Sequence, residues 1–210
     1  MRRGDDFWTA KELRTLDALA SPAAIQAFLD GVEYSADHFY RSPRSVMRDR
    51  KAHCADGAVF AACALERLGL PPRLLDLRAV NDDDHVIAVF EKRGLLGAVA
   101  KSNFVGLRYR EPIHRTPREL ALSYFEDFYN VYGQRTLRSY SAPVDISRFG
   151  HPGWRIDDAA VEPVIDALDR ARHTPLLSDE AARDLLEMDE RSFKAGMLGV
   201  NEAGLYRKKG

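Results

Sequence analysis

The stretch of sequence that decides the fold is KAHCADGAVFAACALERLGLPPRLLDL, residues 51–77, which is followed by DDDHVIAVFE, residues 82–91. Apolar residues recur at three- and four-residue steps across the first segment, and this spacing predicts an α-helix. Gly69 lies where a C-terminal cap belongs, and the prolines after it forbid continuation of the helix. Cys54 is therefore predicted to lie in the first turn of this helix.

Cys54 is the first candidate functional residue. The unpaired N–H groups and the positive dipole end of a helix N-terminus favour a thiolate over a thiol, and the thiolate is the nucleophile. His53 and Lys51 are close in sequence and can add positive charge. A free cysteine is also a common buried filler, so the alternative for Cys54 is a position in the core.

Cys63 offers an internal comparison. It follows Cys54 by nine residues, which along a helix correspond to about 900° of rotation and roughly 13 Å of rise. Cys63 is therefore predicted to face away from Cys54, to form no disulfide with it and to lie in the core.

His85 is the second candidate, since it opens the apolar run HVIAVF. Apolar residues fall on both faces of this run, which predicts a strand buried in the middle of a sheet. A histidine at the start of such a strand can serve as the general base for a thiol. The alternative is a solvated loop, because aspartates occupy residues 82–84 directly before His85.

The same carboxylates raise the hypothesis of a metal-dependent hydrolase that uses His85 and residues 82–84. The six histidines show no His-x-x-His spacing, and the two cysteines form no Cys-x-x-Cys. No metal site is predicted from these patterns. No cofactor is predicted either.

The order of these elements resembles the transglutaminase-like superfamily of papain-like folds. LERLGLPPRLL, residues 65–75, matches the exit from the family's cysteine helix into a strand. HVIAVFEKRGLLGAVAKSN, residues 85–103, matches the histidine strand, a turn at Arg93-Gly94 and a third strand. The resemblance covers residues 45–105 and implies that Cys54 is a nucleophile with His85 as its base.

The family usually carries an aspartate on the third strand, and this chain has none at that place. If Gly97 is aligned with the glycine before the family's tryptophan, Ala98 replaces the tryptophan and Ser102 replaces the aspartate, with Asn103 next to it. An asparagine carbonyl can accept the imidazole N–H, as in Cys-His-Asn sites, whereas a serine orients an imidazole poorly. Asn103 is therefore predicted to orient His85, with Ser102 as the alternative.

Composition limits the classes of protein. With 210 residues, 45% of them hydrophobic and 30% charged, the chain suits one domain with additions. The net charge of −1 gives no field that would attract nucleic acid or an anionic membrane. No apolar leader or spanning run is visible, so a cytoplasmic protein with reduced thiols is predicted. Nothing in the sequence indicates the oligomeric state.

Three regions are predicted along the chain: an N-terminal helical segment (1–44), a transglutaminase-like core (45–138), and a C-terminal loop and helical extension (139–210). Thr9 with Glu12 forms a capping box for a first helix, and Ser21 starts a second. Thr116 caps a helix that is predicted to continue to Val131. Residues 139–155 are predicted to form a loop or a peripheral strand.

Together these patterns predict an α+β fold with a transglutaminase-like or papain-like core, in which a mainly antiparallel sheet packs on the Cys54 helix and helices are added at both ends. The predicted function is thiol-dependent acyl transfer or amide hydrolysis on a peptide, protein or small amide substrate. Cys54 Sγ is expected within about 4 Å of a His85 ring nitrogen. The alternative is an inactive binding or scaffolding module, which the missing aspartate and tryptophan favour.

Overall fold

In a computed structural model that describes residues 5–207, the chain forms an α+β fold with a mainly antiparallel sheet and several helices. The helices are α1 (Ala10–Ala18), α2 (Pro22–Asp30), α3 (Pro43–Asp49), α4 (Cys54–Arg67), α5 (Pro117–Leu122), α6 (Glu162–Asp169), α7 (Asp179–Arg183) and α8 (Glu190–Gly196). The strands are β1 (Glu33–Tyr34), β2 (Lys51–Ala52), β3 (Arg73–Ala79), β4 (His85–Lys92), β5 (Leu95–Val99), β6 (Arg110–His114), β7 (Leu137–Ser141), β8 (Val144–Asp145) and β9 (His173–Pro175).

The main sheet of the described residues has the order β6-β5-β4-β3-β7-β9, and β8 pairs with the start of β3. Neighbouring strands in it are antiparallel. The turn at Arg93-Gly94 joins β4 to β5, and both turn residues have positive φ, 56° and 76°. Such angles are typical of a two-residue hairpin, so the predicted turn is confirmed.

Strand β7 corrects one prediction, because residues 139–155 were expected to form a loop or a peripheral strand. β7 lies inside the sheet between β3 and β9. Its LRSYS sequence lacks the apolar character of a central strand, yet Ser141 is fully buried and accepts a hydrogen bond from the Asp76 backbone N–H at 2.9 Å. A serine can be buried at little cost when its hydroxyl is hydrogen-bonded. A polar segment such as this can therefore lie inside a sheet, although its hydropathy does not predict a buried strand.

The two faces of β4 pack against different layers, which confirms the predicted buried strand. One face, which includes Val86 and Ala88, packs on the alanine-rich side of α4. The other face, which includes Ile87 and Val89, packs on α5 and the aromatic residues after it. The sheet therefore separates two hydrophobic cores, and α4 lies in the first of them.

Helix starts agree with the sequence, but one helix end does not. The capping boxes or caps at Thr9, Ser21 and Thr116 are all formed. The helix capped by Thr116 ends at Leu122 instead of continuing to Val131. The Ser123 hydroxyl donates to the Leu120 carbonyl at 2.6 Å, and such a side-chain bond competes with helical hydrogen bonding.

The last described residues lie against the core. Residues 201–207, which we call the C-terminal strap, contain a 3₁₀ turn at Glu202–Gly204. The side-chain amide of Asn201 donates to the Tyr34 carbonyl at 3.0 Å, which ties the strap to β1. Across residues 5–207, no helix has both the length and the apolar character that spanning a membrane requires.

Candidate functional site

Cys54 is the first residue of α4, and its sulfur lies beside the open end of β4. The His53 side chain caps the helix, and Cys54 Sγ is 3.7 Å from the Asp84 carbonyl oxygen. The backbone N–H groups of Val86 and Ala55 also approach the sulfur. β5 pairs with β4 only from Ala88 onward, so within residues 5–207 the β5-facing edge of β4 has no strand partner near Cys54. The thiol thus meets backbone donors from both a helix N-terminus and a strand edge.

Burial keeps the Cys54 thiol protonated at rest. Burial raises its pKa to about 12, and the nearby charges of Asp56 and Asp83 act in the same direction, whereas the Val86 and Ala55 N–H groups oppose the shift. The thiolate therefore forms only if a base removes the proton during the reaction.

His53 and Lys51 do not supply the positive charge expected next to Cys54. Burial lowers the pKa of His53 to about 4, so its imidazole is neutral near pH 7. Lys51 Nζ is 3.3 Å from a Glu33 carboxylate oxygen, and this pairing offsets its charge. The helix N-terminus remains the favourable electrostatic feature at the sulfur.

Cys63 lies in the core, as predicted. It is buried among the apolar residues around α4, and both cysteines are free thiols. Burial raises the pKa of Cys63 to about 12. Cys63 lines none of the cavities described below, so it is a suitable control for experiments on Cys54.

His85 is buried at the start of β4, with its ring held by a backbone carbonyl. Nε2 is 2.8 Å from the Leu107 carbonyl oxygen, and its ring packs edge-on against Tyr124 and Phe128. A carbonyl only accepts hydrogen bonds, so Nε2 carries the proton and Nδ1 keeps the lone pair. Burial lowers the pKa of His85 to about 4. His85 is therefore a neutral imidazole whose Nδ1 can accept a proton.

Cys54 and His85, both described in the structure, line one small cavity. Their side chains are not joined by a hydrogen bond. The His85 side chain lies on the sheet face opposite α4, as the alternation along β4 requires. Both residues, together with Ser102 and Asn103, line a cavity of about 40 Å³ at the end of the strand. This volume admits a water molecule but not a substrate.

Ser102 and Asn103 do not hold the His85 ring. Ser102 Oγ accepts a hydrogen bond from the Phe104 backbone N–H at 3.0 Å. Asn103 Nδ2 donates to the carbonyls of Asn201 at 2.9 Å and Gly204 at 3.3 Å, and its Oδ1 accepts from the Asn201 N–H at 2.8 Å. The Asn103 amide thus fastens the C-terminal strap, and the Leu107 carbonyl occupies the position expected of the orienting group.

A larger cavity of about 790 Å³ opens on the α4 side of the sheet. Its lining includes Tyr34, Tyr40, His53, Cys54, Asp76, Asp83, Asp84, Asp169 and the strap residues 203–207. A cavity of this size accommodates a peptide side chain or a small amide. Cys54 is therefore one of the residues that line both the substrate-sized cavity and the small cavity that reaches His85.

Sequence reasoning missed a second pair of groups beside the large cavity. Asp76, in the middle of β3, is 1% exposed, and its Oδ2 is 2.9 Å from His173 Nε2. The signal was present in RLLDLRA, because an aspartate inside an apolar strand needs a partner when buried. His173 could not be identified as that partner from sequence, since it lies 97 residues further along the chain.

The acidic loop before His85 uses its carboxylates to hold the chain. Asp84 Oδ1 accepts from the Ala79 N–H at 2.7 Å, and Asp82 Oδ2 accepts from the Thr136 hydroxyl at 2.7 Å. Within the part of the chain that the structure describes, no group of three or more His, Cys, Asp or Glu side chains is arranged to hold a metal ion. This loop therefore provides no set of metal ligands for the hypothetical metal-dependent hydrolase.

Comparison with known proteins gives no family model that matches this sequence and no curated protein with detectable similarity to it.

Proposed function

We propose that the protein catalyses thiol-dependent acyl transfer or amide hydrolysis, with Cys54 as the nucleophile. The observation that carries this proposal is the position of Cys54 Sγ, which meets the N-terminus of α4 and the wall of the 790 Å³ cavity. The cysteine helix is followed by three antiparallel strands, and His85 opens the second of them. This order supports membership of the transglutaminase-like superfamily.

In the proposed reaction the thiol proton passes to His85 Nδ1 through a water molecule in the small cavity that both residues line, while the sulfur attacks the substrate carbonyl. The resting pair is neutral, because burial disfavours both the thiolate and the imidazolium, so proton transfer accompanies attack. The imidazolium then returns its proton by the same path to the leaving amine, and Cys54 carries the acyl group as a thioester. The Leu107 carbonyl keeps Nε2 protonated and Nδ1 available throughout.

A second candidate function is an inactive transglutaminase-like fold that binds a ligand. Two observations favour it. Asn103 is engaged by the C-terminal strap instead of His85, and the pKa of Cys54 is raised to about 12. In that case the large cavity binds its ligand without forming a thioester.

Acylation by p-nitrophenyl acetate tests the choice between the two functions. The ester has a good leaving group, so it needs only a competent nucleophile. The wild-type protein is expected to release about one p-nitrophenolate per chain in a rapid burst and to carry the acetyl group on Cys54, as read by peptide mass spectrometry. Cys54→Ala should abolish the burst.

Cys63→Ala is the matched control, because it removes a buried thiol of the same helix that lies outside both cavities. It is expected to keep the burst while losing stability through a small core cavity. A wild-type protein with no burst that depends on Cys54 would rule out the thiol enzyme and leave the binding module.

A further inference from the structure

The Asp76–His173 pair has no role in the first half of the proposed reaction, yet Asp76 borders the same cavity as Cys54. Asp76 is buried in β3, and His173 belongs to β9, two strands away in the sheet. Asp76 and Cys54 both line the 790 Å³ cavity. A buried carboxylate that reaches a substrate-sized cavity needs an explanation beyond packing.

Strand register places Asp76 one strand away from the sulfur, with β4 between them. Asp76 is the Cα partner of Val86, whose N–H approaches Cys54 Sγ. The Asp76 N–H donates to Ser141 on β7, away from β4, so Asp76 and Val86 form a narrow pair without mutual hydrogen bonds. In such pairs the Cα atoms are about 4.5 Å apart and the side chains share one face. The carboxyl group therefore lies one strand from the thiol, on the α4 side.

His173 fixes one oxygen of Asp76 and leaves the other available. Nδ1 of His173 is 2.8 Å from the Ala171 carbonyl, so Nδ1 carries a proton, and Nε2 meets Asp76 Oδ2. Both ring nitrogens thus face hydrogen-bond acceptors, and Oδ2 is the carboxylate oxygen that His173 engages. Asp76 Oδ1 has no hydrogen-bond partner among the described residues and can act in the cavity.

Charged groups from several elements act on Asp76. His173 on β9 and Arg78 on β3 favour its carboxylate, with Arg78 at 3.8 Å, whereas Asp84 in the β3–β4 loop disfavours it. Asp169 at the end of α6 lines the same cavity. Burial is the largest influence, and the pKa of Asp76 is raised to about 6. The group is therefore a carboxylate at pH 7.5 and a stronger base than an ordinary aspartate.

We propose that Asp76 is the general base of the second half-reaction and that His173 is its positioning residue, an inference that rests on the proposed Cys54 thioester. Asp76 Oδ1 takes a proton from the incoming water or amine as the oxygen or nitrogen attacks the thioester carbonyl. The new C–O or C–N bond forms and the C–S bond breaks. The proton passes from Asp76 to the departing sulfur, which restores the thiol and the carboxylate.

Steady-state hydrolysis of p-nitrophenyl acetate after the burst tests this assignment, because turnover then depends on deacylation. Asp76→Asn is expected to keep the burst and to slow deacylation about 100-fold, within the usual range for loss of a general base. In the wild type the deacylation rate should rise with pH through about 6 as Asp76 loses its proton. Asp145→Asn is the matched control, since it removes a carboxylate beside β3 but outside the cavity.

His173→Gln tests the positioning role and still decides the question if Asp76→Asn fails to fold. His173 lowers the pKa of Asp76, so its removal should move the inflection of the deacylation profile to higher pH. His114→Gln, a histidine on β6 that also bonds a backbone carbonyl, should leave the profile in place. A normal burst with unchanged deacylation in Asp76→Asn, or an unshifted profile in folded His173→Gln, overturns this inference alone. Absence of the Cys54 burst overturns the proposed function and this inference with it.

Discussion

The burial of a single histidine, His85, couples folding to proton binding. Its pKa is lowered from an ordinary value of about 6.5 to about 4, because burial disfavours the imidazolium. Between these pH values the unfolded chain binds a proton at His85 that the folded protein does not bind. Its stabilising contribution is therefore complete above pH 6.5 and is lost as the pH falls toward 4.

His85→Gln should remove this dependence. The free energy of unfolding of the wild type minus that of the variant is expected to increase by about 1.4 kcal/mol per pH unit between pH 4 and 6.5, and to be flat above. Urea denaturation at pH 4, 5, 6, 7 and 8 measures it. The subtraction cancels Asp56 and Asp76, whose raised pKa values make the opposite contribution. A difference that does not change with pH would contradict the neutral, buried state of His85.

Cys54, His85 and Asn103 show how much of the candidate site could be predicted from the sequence. Cys54 and His85 could be placed at a helix start and a strand start because caps, turns and alternation are local patterns. The partner of His85 could not be predicted, since the Leu107 group involved is a backbone carbonyl 22 residues away, which any residue type would offer. Asn103 was the natural side-chain candidate, but its amide bonds to a segment almost 100 residues further on.

At the scale of elements, α4 depends on one glycine for its contact with the chain after β5. A Cβ built on Gly57 would lie 2.3 Å from Lys101 Cβ, which is closer than real contacts allow. Lys101 cannot move aside easily, because its buried ammonium donates to the carbonyls of Leu29 and Val32. Gly57→Ala should therefore lower the free energy of unfolding by about 1–3 kcal/mol through overpacking, as measured by urea denaturation.

Gly31→Ala is the control for this substitution. Its new Cβ would lie 3.3 Å from the end of the Arg50 side chain and in ordinary contact with the Phe28 carbonyl oxygen at 3.6 Å, and its φ of −83° suits alanine. We expect a change within about 0.5 kcal/mol. Equal stability losses in the two variants would mean that the contact between Gly57 and Lys101 does not limit packing.

Helix and strand boundaries differ in how well sequence predicts them. Thr9, Ser21 and Gly69 mark helix ends correctly, because a capping residue bonds to backbone groups only a few residues away in the sequence. The end of α5 is also held from another element, because the guanidinium of Arg110 on β6 donates to the Ser123 carbonyl at 3.0 Å. The spacing of apolar residues within the helix cannot predict such a contact with a residue of a strand.

At the scale of the whole molecule, the C-terminal strap covers the site that begins at α4. Gly204 and Tyr206 line both cavities that meet at Cys54. Asn103 makes three hydrogen bonds to the strap, and the Tyr34 carbonyl accepts a fourth from Asn201. These hydrogen bonds join the strap to residues that are far away in the sequence. They therefore depend on the fold and could not be predicted from a local motif.

Asn103→Ala should release the strap and expose Cys54. Three hydrogen bonds contribute roughly 1 kcal/mol each, so their loss should raise the open population and the iodoacetamide alkylation rate of Cys54 at pH 7.5 by about tenfold or more. Ser102→Ala removes only the local bond to the Phe104 N–H and should change the rate little. If Asn103 instead oriented His85, as the sequence predicts, its loss would weaken the base and slow alkylation. The direction of the change therefore separates a residue that fastens the strap from one that orients the base.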